Sequence, residues 1–236
     1  MKRVVSLVPS ITETLMAWGA PPVAVTRFCE APGLPTVGGT KNPDIGAIVA
    51  LTPDVVLMDK EENRAPDAAA LTEAGVAVVA TAVRSVTDVA PALGALAEAA
   101  GRPAPDGVPG LPPGRAQLEL PGSRRTVFVP IWRRPWMTVG GATYGSSILS
   151  VAGFDNVFAG HRDAYPTIDL ADAADRRPDL VLAPSEPYPF TERHRAELEQ
   201  VAPVLFVDGR DLFWWGARTP AALGRLVEMA AGHLGA

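Results

Sequence analysis

The sequence predicts an α/β protein of two lobes, each built on a parallel sheet, with a ligand cleft between them. Three observations predict it. Short apolar runs alternate with helical patterns along both halves of the chain. The alternation breaks once, where eleven of the 23 residues from 101 to 123 are proline or glycine. The halves also echo each other: Pro53-Asp54-Val55-Val56-Leu57 returns as Pro178-Asp179-Leu180-Val181-Leu182. Strands that alternate with helices pair in parallel, because each crossover helix packs back on the sheet.

The first half reads in order. Val4–Val8 is a buried strand, and Ser10-Ile11-Thr12-Glu13 has the form of a capping box for a helix to Trp18, stopped by Gly19. Val23–Thr26 is a second strand, and Asp44–Ala50 a short helix. Val55–Met58 is a third strand, Ala65–Ala74 a helix ended by Gly75, and Val76–Ala80 a fourth strand. Val86–Ala99 reads as a helix with Leu93 and Leu96 on one face, and Pro91 fits only in its first turn.

Residues 101–123 carry too much proline and glycine for a helix or strand, which makes them a linker between lobes at 1–100 and 124–236. The alternation then restarts. Thr126–Pro130 is a strand, Tyr144–Ala152 and Asp169–Ala174 are helices, and Leu180–Leu182 is a strand. Thr191–Glu199 is a helix, Val204–Val207 a strand, and the last helix opens at Thr219-Pro220. Its apolar residues Leu223, Leu226, Val227, Ala230 and Leu234 keep helical spacing.

Composition excludes several classes. At 236 residues, 47% hydrophobic and a net charge of −5, the chain has too much apolar surface for disorder. One cysteine excludes a disulfide scaffold. Net acidity argues against nucleic-acid binding, and Arg124, Arg125, Arg133 and Arg134 read as solvated strand flanks. No apolar run approaches the roughly 18 residues of a membrane helix, so no membrane insertion is expected. The stretch between Met1-Lys2-Arg3 and Pro9 is too short for a secretory core, and the expected compartment is the cytoplasm.

The loops after strands carry the chemistry, because open α/β sheets collect ligands at strand carboxyl ends. In the first half these loops hold Arg27, Phe28, Cys29, Lys41, Glu61 and Glu62; in the second, Trp132, Trp136, Glu186, Tyr188, Trp214, Trp215 and Arg218. Glu61 and Glu186 each stand seven residues after the aspartate of the repeat. Large flat side chains at a cleft mouth suit a flat, largely apolar ligand whose polar edges are read by nearby charges. Trp136 and Trp214 could instead pack under their own loops.

Other chemistries have weaker signals. His161, His194 and His233 have no Cys or His at ligand spacing, so no protein metal site is expected. His194 and His233 read as surface residues, whereas His161 could offer an axial ligand to a bound chelate. Cys29 has Arg27 nearby but no histidine tied to it, which favours lining a cleft over nucleophilic catalysis. Glu61, Glu62 and Glu186 suit acid–base work, ligand contact or a docking surface. Gly38-Gly39 and Gly140-Gly141 are phosphate-loop candidates without the Gly-Lys-Ser/Thr of a P-loop.

Several runs resemble one family. The opening Val4–Glu13, the stretch Ile48-Val49-Ala50-Leu51-Thr52-Pro53-Asp54-Val55-Val56 and the segment from Gly141 to Phe158 are similar to the class III, or helical-backbone, periplasmic binding proteins that take cobalamin and siderophores. The runs Thr26–Cys29, Val37–Asp44, Lys60–Asn63 and Ser185–Phe190 resemble its helical-backbone metal-receptor subgroup. The resemblance implies a non-catalytic protein holding cobalamin or a related metal chelate between lobes, with aromatic contacts and no covalent chemistry. It departs from the family in three places. No signal peptide is expected, which argues against a periplasmic role; the inter-lobe helix gives way to the 101–123 linker; and the family's docking glutamate falls on Ala65, which argues against docking to an ABC transporter unless Glu61, Glu62 or Glu186 substitutes for it. An enzyme acting on a small polar substrate and an importer subunit are the alternatives. Oligomeric state is not legible.

Overall fold

A computed structural model describes residues 2–103 and 124–232. Positions 104–123 of the expected linker, together with His233 and Leu234, lie outside the described residues. The chain divides into two compact units. Among the described residues, one comprises 2–83, 88–103 and 215–218, and the other 84–87, 124–214 and 219–232.

The first unit runs β1 (Val4–Ser6), α1 (Pro9–Ala17), β2 (Ala24–Val25), β3 (Gly38–Gly39), β4 (Asn42–Pro43), α2 (Ile45–Ala50), β5 (Val55–Asp59), α3 (Ala65–Glu73), β6 (Val78–Thr81) and α4 (Val89–Ala99). Its parallel sheet has the order β2-β1-β5-β6. Val5 and Val56 pair across the centre, and both are fully buried. They join Leu7, Ile48, Met58 and Leu71 in one core, as expected of strands covered on both faces. Asp44 caps α2, its side chain accepting from the Ala47 N–H at 2.9 Å. Gly19 and Gly75, at φ of +64° and +80°, follow α1 and α3 as expected.

The start of α1 differs from the expected capping box. The helix begins at Pro9, its N-cap is Val8, and Ser10 already lies inside it. Proline suits the first helical position because its missing N–H would have no partner there. The Val86–Ala99 segment also divides, a 3-10 turn at Val86–Asp88 leading into α4.

The second unit runs β7 (Arg125–Phe128), β8 (Pro130–Trp132), β9 (Trp136–Thr138), α5 (Tyr144–Ala152), β10 (Phe154–Asn156), β11 (Thr167–Ile168), α6 (Leu170–Asp175), β12 (Leu180–Pro184), α7 (Arg195–Leu198), β13 (Val204–Val207), α8 (Gly209–Phe213) and α9 (Thr219–Ala230). Its parallel sheet, β10-β7-β12-β13, repeats the strand order of the first. Each sheet places its second strand at one edge, then its first, third and fourth. Phe128, Phe158, Val181 and Phe190 centre its core. A small antiparallel sheet, β11-β9-β8, extends beyond β7 and was not expected from sequence.

Candidate functional site

In the first unit the loops at the carboxyl ends of β2 and β5 meet the β3–β4 hairpin. Arg27 and Phe28 follow β2. The Arg27 N–H donates to the Gly38 carbonyl at 2.9 Å, and the guanidinium lies over the Phe28 ring at 5.0 Å. The Phe28 ring is 55% exposed. Gly39 makes this packing possible: a Cβ there would stand 3.1 Å from Arg27 Nη2 and 3.2 Å from Phe28 Cε2. Lys41, at the hairpin tip, donates to the Glu61 carbonyl at 2.6 Å.

Asp59 and Asn63 organise the loop after β5. The Asp59 carboxylate accepts from Thr81 Oγ1 at 2.7 Å and from the Glu61 N–H at 2.9 Å, and the residue is 1% exposed. Burial holds this carboxyl above its ordinary range, against the pull of those bonds. Asn63 accepts from the Asp59 N–H at 2.9 Å and donates to the Thr40 carbonyl at 2.9 Å, fastening the loop to the hairpin. The Glu62 side chain reaches solvent, yet desolvation raises its carboxyl. The charges of Asp59 and Glu61 add to the rise, and Lys41 opposes it.

Cys29 sits among hydroxyls. Its Sγ lies 3.2 Å from Thr12 Oγ1 and 3.3 Å from Thr26 Oγ1, and Thr12 donates to Ser6 Oγ at 2.8 Å. Sequence reasoning left out Thr12 and Thr26. The strand-loop-helix arrangement brings them to the thiol across 17 residues of sequence in the case of Thr12.

In the second unit five rings meet at the ends of β8 and β12. Trp132 is 44% exposed and stands edge-on to Tyr188 at 5.6 Å. Tyr188 packs on Phe190 at 4.8 Å, and Trp136 stacks on Phe190 at 6.0 Å and 7°. His194 closes the cluster at 5.5 Å from both Tyr188 and Phe190. Trp132 is thus the outer ring, while Trp136 is half-buried against the core.

His194 corrects the surface expectation, being only 4% exposed. The Thr191 N–H donates to its Nδ1 at 3.0 Å, leaving Nε2 3.4 Å from Tyr188 Oη. Burial lowers its pKa, and the positive charges of Arg193 and Arg133 act in the same direction. The signal was present in sequence: His194 stands three residues after Thr191, the spacing of a side chain that reaches back to a helix start.

The remaining candidates are placed as follows. Glu186 follows β12 and packs against Gly209, where a Cβ would meet the Glu186 carbonyl oxygen at 2.5 Å. Trp214 is half-buried, with the Arg210 guanidinium 5.9 Å above its ring and Arg210 itself held by Asp208 at 2.9 Å. Trp215 is 5% exposed, which leaves it little surface for a ligand. Arg218 makes a two-pronged ion pair with Glu13, at 2.7 and 2.8 Å. Arg133 pairs with Glu197 and Arg124 with Asp155, both at 2.8 Å. Gly140 gives its N–H to the Ala164 carbonyl at 2.7 Å, so that amide is not held open for a phosphate. His161 Nδ1 accepts from the Asp163 N–H at 3.0 Å. Among the described residues no group of His, Cys, Asp and Glu could hold a metal ion, and no helix is long and apolar enough to cross a membrane.

Comparison with known proteins places this architecture. No family model matches the chain. A vitamin B12-binding protein of Salmonella paratyphi A is 27% identical over 189 residues, covering 76% of this chain and 71% of the relative. The solved periplasmic vitamin B12-binding protein of Vibrio cholerae superposes with a TM-score of 0.81 at 21% identity, over 98% of this chain and 96% of that one. A periplasmic haem-binding protein from Pseudomonas aeruginosa superposes with a TM-score of 0.77 at 20% identity, over 97% and 92%. With two equivalent parallel α/β sheets and neighbours of this kind along nearly its whole length, the chain has the class III periplasmic-binding-protein-like fold.

Proposed function

We propose that this chain is a non-catalytic binding protein for a flat metal chelate of the corrinoid or haem kind. The observation that carries the reading is the aromatic surface at the carboxyl ends of β8 and β12. There Trp132 is exposed on a ladder of supported rings. An exposed ring braced edge-on by a second ring presents apolar area at little entropic cost, which suits a planar ligand. The first unit has an exposed ring of its own, Phe28, with the Arg27 guanidinium over it. The names of relatives that bind vitamin B12 or haem support the same ligand class. The test is to titrate purified protein with cobalamin, cobinamide and haem while following tryptophan emission and melting temperature. Quenching with a raised melting temperature for one of them is expected, and no change with any of the three would sink the reading.

An importer subunit is the second reading, favoured by the periplasmic origin of both solved neighbours. Glu61 and Glu186, two residues past equivalent strands β5 and β12, would then supply the docking carboxylates. Reversing both charges is expected to abolish uptake in a reconstituted importer while ligand still binds. Uptake that survives the double reversal removes this reading.

A further inference from the structure

We propose that His194 is a positioning residue for the ring surface of the second unit: uncharged, it braces Tyr188 and through it Trp132, and on protonation it releases both and weakens ligand binding. The inference rests on the binding reading and adds the control of its site.

The rings form a chain from the interior to the surface. His194 is 4% exposed and stands edge-on to Tyr188 and Phe190, at 5.5 Å from each. Tyr188 carries Trp132 edge-on at 5.6 Å and 74°, and Trp132 is 44% exposed. Tyr188 is thus the link between a buried imidazole and the exposed ring offered to a ligand. Whatever turns the imidazole away removes the back support of that link. A flat ligand then meets a surface that must be ordered at the moment of binding, which costs affinity.

The imidazole sits in a frame built for its neutral form. Both ring nitrogens are faced by N–H donors: the Thr191 amide at 3.0 Å from Nδ1 and Arg193 Nε at 3.2 Å from Nε2. A neutral imidazole has one acceptor nitrogen and can receive one of these donors. An imidazolium has none and sets N–H against N–H at both. The Tyr188 hydroxyl, 3.4 Å from Nε2, can accept from the ring on that side, but the Thr191 amide at Nδ1 can only donate, and as backbone it cannot rotate away. The charged groups around the ring do not supply a remedy. They are Arg193 on its own turn, Arg133 between β8 and β9, and Glu197 on α7. Glu197 alone of the three is negative, and Arg133 holds it at 2.8 Å. Burial, Arg193 and Arg133 all disfavour the cation. A proton that does bind therefore forces the ring out of its place under Tyr188.

The test follows affinity for haem and for cobalamin from about pH 7.5 to about pH 5, on the full chain. Wild type is expected to lose affinity by roughly threefold or more for whichever ligand binds, as the fraction of neutral His194 falls. Glutamine is an ordinary partner at this third position of a capping box, so His194→Gln can still accept from the Thr191 N–H while carrying no charge at any pH. It is expected to bind more weakly than wild type at pH 7.5, having lost the ring, yet with a flat profile in acid. A titration of the ligand itself would appear in both proteins, so the comparison isolates the histidine. Arg193→Gln adds a readout that a merely structural role would not move. Removing its charge is expected to shift the midpoint of the wild-type decline to higher pH, by roughly 0.2–0.7 of a unit. If His194→Gln melts early, this shift carries the test alone. Affinity that does not fall toward pH 5, a fall that His194→Gln shares, or a midpoint that Arg193→Gln leaves in place overturns the inference and leaves the binding reading intact. Failure of wild type to bind either ligand at pH 7.5 overturns both.

Discussion

Asp54 and Arg3 exchange two hydrogen bonds at the start of neighbouring strands. The Arg3 N–H donates to the Asp54 carboxylate at 2.6 Å, and the Asp54 N–H donates to the Arg3 carbonyl at 2.8 Å. Asp179 and Thr126 repeat the device in the second unit, at 2.7 and 2.9 Å. The Pro-Asp repeat therefore marks a staple that sets β5 against β1 and β12 against β7. Asp54→Ala is expected to cost about 1.5 kcal/mol in a urea melt, the low end for a bond to a charged acceptor. Asp54→Asn keeps an acceptor oxygen and is expected to cost less.

Acid separates two titrating groups. Hydrogen bonds from Thr126 hold the Asp179 carboxyl below its ordinary range. Its contribution is thus complete above about pH 4 and is lost as pH falls through the folded value. Asp179→Asn is expected to flatten the stability profile in that acid window and to leave the slope above it unchanged, as read by thermal melts across pH.

His194 acts at higher pH. Burial pushes its pKa below the usual value near 6.5, so its contribution is complete above about pH 6.5 and declines as pH falls through the folded value. Protonation would also remove the Nδ1 acceptor used by the Thr191 N–H. His194→Gln is expected to remove the decline below pH 6.5, and wild-type tryptophan emission is expected to change over the same window.

Trp132 and Trp136 are expected to separate binding from folding. Trp136 stacks on Phe190 against the core, and Trp136→Ala is expected to cost roughly 2–4 kcal/mol of stability. Trp132 is largely an edge contact with Tyr188, and Trp132→Ala is expected to cost about 1 kcal/mol or less while weakening ligand binding at least tenfold. Calorimetric melts and ligand titrations of the two variants check this.

The α/β alternation was legible because the central strands of each parallel sheet are short apolar runs buried on both faces, as Val55–Met58 and Val181–Ala183 show. The β3–β4 hairpin was not, since Gly38-Gly39 and Asn42-Pro43 have poor strand propensity and pair only through the fold. The β8–β9 pair hid among tryptophans and arginines that read as a loop. The loops with candidate residues were visible as loops, but their internal support was not. The burial of His194 comes from Tyr188 and Phe190, while its sequence neighbours Glu192, Arg193 and Arg195 are charged. Trp215 looked like a ligand contact because of its neighbours in sequence, whereas the fold leaves it 5% exposed.

Gly209 tests how rigidly Glu186 is held. A Cβ at that position would stand 2.5 Å from the Glu186 carbonyl oxygen, a backbone atom that cannot swing away. Gly209→Ala is expected to destabilise the protein by roughly 1–3 kcal/mol and to displace the Ser185–Phe190 loop. A melt that matches wild type would show that this loop yields freely.

Isothermal titration of the full-length protein with haem and with cobalamin, for wild type and Trp132→Ala side by side, tests the central claim most directly. Saturable heat at one ligand per chain for at least one of the two, weakened tenfold or more by Trp132→Ala without a large drop in melting temperature, is the expected result. No heat beyond dilution for either ligand, or binding that Trp132→Ala leaves unchanged, would contradict it.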